Sequence, residues 1–183
     1  MTAETILLDA CDLLNLYGTG EIESILSHLP YRFVAGARAL REAQWVRAEG
    51  EAERERVEVR PLIEAGLLAE ESLQGQAETD LFIEFGLLID DGEAETLALA
   101  VARGYSVATD DRKARRIAAE RLTGAQLLGT LELLHEWQVR TGLENAAMRE
   151  ILRRMAFRSS YIPRRSDPLW DWWTELEALE DGR

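Results

Sequence analysis

The chemistry open to this chain lies in its carboxylates. Asp9 closes the apolar run Thr5–Leu8, and Asp110 and Asp111 follow a second run, Tyr105–Ala108. Glu42 sits in an Ala-rich stretch after a third run, and Glu93 directly follows Gly92. Oxygen donors of this kind, drawn from distant parts of a chain to one point, suit Mg²⁺ or Mn²⁺ and leave several waters on the ion. One or two such ions can activate a water and stabilise a leaving oxygen in hydrolysis. Each acid also has a plainer reading: Asp9 a turn residue, Glu42 a solvated helix residue. Glu93 would complete a capping box with Asp90, and Asp110 or Asp111 would cap the basic helix that follows. A cap needs one of the two aspartates, so the doubled acid points beyond capping.

Other chemistries find no residues. Lys113 is the only lysine and no G-x-x-x-x-G-K-[ST] occurs, so a P-loop is excluded. Gly18-Thr19-Gly20 lacks the third glycine of a dinucleotide fingerprint, and no G-x-S-x-G elbow is present. Cys11 is the single cysteine, which excludes an internal disulfide and, beside only two histidines, leaves no Cys/His zinc set. With one thiol and no apolar run near the length of a membrane helix, the expected setting is a reducing, cytoplasmic one without membrane contact.

Elements that would position these acids follow from periodicity. Strands are expected at 5–9, 31–34, 105–108 and weakly at 125–128; helices at 22–29, 35–46, 78–88, 93–103, 112–121, 130–139 and 145–157. Gly104 stops one helix and Pro30 another. The stretch 47–75, charged and with an alternating Val57-Glu58-Val59, suits either a short strand or a helical excursion. Strands alternating with helices give a mostly parallel sheet covered on both faces, and sites in such sheets form beyond the carboxyl ends of the strands. Asp9 and Asp110-Asp111 fall there.

Taken in order, LLDACDLLNL, the helical ALREA and DDGEAETLALAVARGYSVATDDRKARRIA resemble the PIN-domain family, and its VapC-like toxin branch in particular. The resemblance covers about residues 4–140 and is most specific over 92–118. It implies an α/β fold, a PIN-like three-layer α/β/α sandwich over 1–140, with 141–183 a C-terminal helical extension packing on the domain or on a partner. It implies catalytic carboxylates at Asp9, Glu42, Glu93 and Asp111, with Asp9, Glu93, Asp110 and Asp111 as ligands of Mg²⁺ (or Mn²⁺) and Thr109 as an auxiliary hydroxyl. The activity implied is metal-dependent endoribonuclease, like the toxin of a type II toxin–antitoxin pair; the alternative is a non-catalytic PIN-like binding module. RNA is then the substrate, an antitoxin protein the partner and a homodimer the working form. Glu95 competes with Glu93, but Glu93 falls in the first helical turn, where the dipole favours an anion. The family's usual Thr-Asn or Thr-Ser after the first acid is replaced here by Ala10-Cys11-Asp12.

The net charge of −13 opposes nucleic-acid binding, yet residues 111–165 hold 12 basic and 6 acidic side chains. Within them Arg112, Lys113, Arg115 and Arg116 stand beside the acids as candidate contacts to an RNA backbone. The tail carries Trp170, Trp172 and Trp173, too much apolar surface to leave in water. Packing on its own domain, a partner contact and base stacking are its three possible uses.

Overall fold

The computed structural model describes residues 3–48 and 53–179. In chain order it holds β1 (Glu4–Leu8), α1 (Ala10–Gly18), α2 (Ile22–His28), β2 (Tyr31–Gly36) and α3 (Ala37–Glu42). Then come β3 (Trp45–Arg47), β4 (Arg54–Arg56), α4 (Arg60–Glu64), β5 (Ala69–Glu71), α5 (Gly75–Gly86) and α6 (Asp91–Arg103). The chain continues through β6 (Ser106–Ala108), α7 (Arg112–Arg121), β7 (Leu127–Leu128), α8 (Thr130–Thr141), α9 (Asn145–Ser159) and α10 (Trp170–Glu177).

Alternation along β1 sets the layers, because successive strand side chains point to opposite faces. Ile6 and Leu8 enter a core shared with α1, α2, α8 and α9, while Leu7 packs with Val34 and Leu99 on the other face. There α5, α6 and α7 close a second core around Phe85, Leu97, Val107 and Ile117. The sheet between them has five strands in the order β5-β2-β1-β6-β7, every pairing parallel. The fold is therefore the expected three-layer α/β/α sandwich. Crossover helices cover both faces, so β1 is apolar throughout its last three residues instead of alternating with polar ones.

One expectation for the local structure gives way, and the open stretch 47–75 resolves into short strands and a short helix. The helix expected over 35–46 is shorter: β2 runs on to Gly36, α3 ends at Glu42, and Trp45–Arg47 pairs antiparallel with Arg54–Arg56. Tertiary packing decides this, since Val46 is buried while Trp45 and Arg47 point outward, a strand pattern hidden in a helix-favouring stretch. In 47–75, Val57–Val59 is neither strand nor helix; it links β4 to α4, and the third parallel pairing comes from the edge strand β5. The part of 47–75 at residues 49–52 lies outside the described residues.

The C-terminal elements share the first core. Met148, Ile151, Leu152 and Met155 of α9 and Leu176 of α10 are buried with Leu13, Leu16 and Ile25. The tryptophans of α10 lie on their own chain: Trp172 donates its indole N–H to Gln138 Oε1 at 3.1 Å, and Trp173 stacks edge-on to Tyr161. No helix among the described residues is long and apolar enough to cross a membrane.

Candidate active site

Strand order reverses at β1, which has β2 on one side and β6 on the other. Chains leave the sheet in opposite directions at such a point and open a crevice beyond the carboxyl ends of the strands. Asp9 is the first residue past β1, and its N–H donates to Ala108 O at 3.0 Å, which holds it against the end of β6. Its carboxylate is only 3% exposed. Oδ1 accepts from the Ala10 N–H at 2.6 Å and Oδ2 from the Thr109 hydroxyl at 2.9 Å. The same Thr109 oxygen accepts from the Asp111 N–H at 3.2 Å, so one hydroxyl ties Asp9 to the Asp110-Asp111 turn.

The third acid comes from the start of α6. Asp90 caps this helix by accepting the Glu93 N–H at 2.9 Å, which orients the first turn and places Glu93 within it. Glu42, the last residue of α3, lays its carboxylate over Gly92; a Cβ there would collide with both carboxyl oxygens. Gly92 thus permits the close approach of two acid-bearing helices. Glu42 is near enough to Asp9 for that charge to act on it.

The electrostatics describe a cluster of like charges. Burial, then the Asp90, Asp111 and Asp9 charges, raise Glu93 to about 7. Burial also raises Asp9 to about 6 against the hydrogen bonds from Thr109 and Ala10, with Asp90 and Asp111 adding to the rise. Glu42 is raised by burial and by Asp90, Asp9, Asp91 and Glu95. The charges that act most strongly on these three carboxylates are negative. Cys11 at the same mouth is pushed up to about 12, by burial and then by Asp9 and Asp12, and is no nucleophile.

Glu95 has another task. It is 2% exposed, accepts the Arg38 N–H at 2.6 Å and pairs with the Arg38 guanidinium at 2.8 Å. A Cβ on Gly36 would meet its Oε2 at 2.6 Å. Glu95 therefore caps α3 from α6 and fixes the helix that carries Glu42.

The two adjacent aspartates part company. Asp111 caps α7 through the N–H groups of Lys113 and Ala114, at 2.7 and 2.8 Å, and faces the cluster. Asp110 turns the other way. Its oxygens take the Asn15 amide and the Thr130 N–H, each at 3.3 Å, while its own N–H donates to Asp12 Oδ2 at 3.1 Å. The Thr130 hydroxyl donates to Asp12 Oδ1 at 3.1 Å and accepts from Asn15 at 2.9 Å. Burial, with the Asp110 and Asp9 charges, raises the fully buried Asp12 well above the usual carboxylate range. Burial raises Asp110 too, opposed by its Thr130 hydrogen bonds and by Arg115.

Of the basic residues, Arg112, Lys113 and Arg116 are exposed on α7, whereas Arg115 is tied to the Thr109 and Leu128 carbonyls at 3.0 and 2.8 Å. Residues absent from the sequence reading also belong here. Asp90 is the charge that acts most strongly on both Glu42 and Glu93, and its signal was its place three residues before Glu93. Asn15 had no sequence signal, because nothing local tells which side chains reach the end of β6.

The donor set, all hard carboxylate oxygens in mutual repulsion, fits a divalent cation by its chemistry. Among the described residues no three acids already encircle one point, so a closed ligand cage is not preformed.

A doubly wound sheet with a carboxylate cluster at its switch point defines an α/β domain with an acidic site. A family model described as a PIN domain matches residues 5–166, and the chain belongs to the PIN-domain family, whose members are generally nucleases. No curated protein and no solved structure gives a significant match.

Proposed function

We propose that this protein is a metal-dependent endoribonuclease, acting as the toxin of a toxin–antitoxin pair. The observation that carries the reading is the cluster of Asp9, Glu42, Glu93 and Asp111 at one crevice, where the charges acting most strongly on Asp9, Glu42 and Glu93 are negative. Such crowding is unfavourable without a cation. Asp9, Glu93 and Asp111 would hold Mg²⁺ or Mn²⁺, with Glu42 across the mouth. When bound, the ion supplies a water of lowered pKa and a counter-charge for the scissile phosphate.

The chain's own residues do the rest. Thr109 fixes the rotamer of Asp9, Asp90 sets the turn that presents Glu93, and Glu95 with Arg38 holds α3 so that Glu42 faces the crevice. Glu93, raised to about 7 by burial and its acidic neighbours, would give up that proton to the ion it helps to hold. Ala10-Cys11 stands where the family usually has a polar pair, and the Asp12–Asp110–Thr130–Asn15 network holds the Asp110-Asp111 turn by hydrogen bonds. Asp110, with both oxygens engaged, is a more distant ligand than Asp111 in this reading.

The test is cleavage of a labelled RNA by purified protein, with Mg²⁺ or Mn²⁺ and with EDTA, beside Asp9→Asn. Cleavage that needs the metal and disappears in the variant supports the proposal. Binding to RNA or protein partners with no cleavage by wild type in either metal would favour the non-catalytic module, for which the altered Ala10-Cys11-Asp12 speaks.

A further inference from the structure

Beside the acid cluster, a groove of about 550 Å³ runs between the start of α7 and the segment 159–168. One wall carries Glu93, Asp111 and Arg112; the other carries Tyr161, Ile162 and Arg164. A volume of this size suits a small ligand or a nucleotide-sized piece of a larger one. Among the described residues Arg112 and Arg164, like the exposed Arg116 and Arg165, make no ion pair; of these four, Arg112 and Arg164 line the groove. Two uncommitted guanidiniums therefore line a groove that begins at a carboxylate cluster, in a chain of net charge −13. Ile162 adds an apolar surface, 83% exposed, to the same wall.

The segment is held in shape. Ser160 ends α9 in the left-handed region, at φ 61°, a costly conformation for a residue with a Cβ. Pro163 is buried, and Tyr161 lies edge-on to Trp173 at 5.9 Å. Asp167 closes the segment by donating its N–H to Arg164 O at 2.9 Å and accepting the Leu169 N–H at 2.8 Å. Behind it α10 is anchored by buried Leu176 and by Trp172 on Gln138. The Trp-rich tail is the buttress of this wall.

We propose that residues 159–168 form a nucleotide-binding wall for single-stranded RNA, with a phosphate flanking the scissile one on Arg164 and the adjoining base against Ile162 and Tyr161. The inference rests on the ribonuclease reading and adds to it where the strand lies. Guanidinium forks match phosphate oxygens, and an unstacked base presents its face to a side-chain platform. An A-form duplex keeps its bases stacked inside and offers no free base to this wall.

The experiment measures binding of a fluorescent single-stranded oligoribonucleotide in Mg²⁺, in the Asp9→Asn background, for Arg164→Ala and Arg165→Ala, together with cleavage by the same arginine variants in the wild-type background. Arg165 is the exposed neighbour of equal charge that does not line the groove. Arg164→Ala should weaken binding roughly tenfold and lower the salt slope by about one phosphate contact, with Arg165→Ala changing it less than about twofold. In cleavage, Arg164→Ala should raise KM with kcat little changed, and Arg164→Lys should restore part of the loss. Metal-dependent cleavage with equal effects of the two alanine variants, or duplex RNA bound as tightly as single strands, overturns the wall and leaves the ribonuclease standing. If wild type neither binds nor cleaves RNA, the ribonuclease reading fails and the wall fails with it.

Discussion

Glu93 and Glu95 show how two residues of one helix turn are assigned opposite work by their surroundings. Glu93 opens on the cluster; Glu95 is sealed against Arg38. Glu93→Gln should reduce metal-dependent cleavage by at least about a hundredfold while leaving thermal stability unchanged or raised, because it removes one of several repelling charges. Glu95→Gln should lower unfolding stability by roughly 1–3 kcal/mol, the cost of disrupting a buried charged hydrogen bond. Paired thermal melts and initial rates check both; a Glu95→Gln protein that is stable but inactive would exchange the two roles. Gly92→Ala tests the geometry more gently. Its methyl would displace the Glu42 carboxylate, the flexible end of a side chain, so activity should fall while the melting temperature moves by no more than a few degrees.

Among the elements, the junction of β6, α7 and α8 concentrates the polar contacts, and Thr130 is its hub. Thr130→Val removes a donor to Asp12 and an acceptor from Asn15 in a fully buried place. Denaturant unfolding should show a loss of roughly 1–3 kcal/mol, since buried polar groups stripped of partners pay their desolvation. The acid-bearing element ends also set the pH response. Asp9 and Glu93 bind protons more tightly folded than unfolded, their values rising from 3.8 to about 6 and from 4.5 to about 7. Their contribution to stability is complete below the unfolded values and is lost as pH rises through about 6 to 7. Glu78, lowered by its hydrogen bonds from Arg103, acts in the opposite sense and loses its contribution below its ordinary 4.5. Metal-free protein should accordingly melt higher at pH 5.5 than at pH 8. Mg²⁺ or Mn²⁺ should raise the melting temperature at pH 8 and much less at pH 5.5, where protons compete for the same oxygens. A melting temperature that climbs steadily from pH 5.5 to 8 without metal would contradict the crowding of these carboxylates.

At the scale of the whole molecule, the Trp-rich tail is packed on its own chain, which withdraws one of the reasons for expecting a dimer. The separation of charge remains, with acid in the first half and base over 111–165. In a homodimer the basic stretch of each subunit would flank the other's crevice and focus positive potential there. An antitoxin arginine entering that crevice would replace the metal's charge. Light scattering across protein concentrations tests the dimer: about twice 20.7 kDa at tens of micromolar is expected, and a constant 20.7 kDa would exclude it.

The sequence by itself determined the alternation of strands and helices, hence the parallel sheet. Local signals sufficed for that: apolar runs of strand length, Gly104 with its left-handed φ, and an acid three residues before Glu93. It also placed Asp9 and Asp110-Asp111 at strand ends, because a polar residue directly after a buried run must leave the sheet. Tertiary structure alone decided which acids share a crevice. It turned Asp110 towards Asp12 and Thr130 while Asp111 kept facing Glu93, a choice between neighbours that carry the same side chain. It shortened the helix after β2 by burying Val46 in a hairpin, and it brought 159–168 back beside residues almost fifty positions earlier. Local pattern reports which face of an element is apolar; the contacts between elements, set by long-range packing, report which polar groups meet.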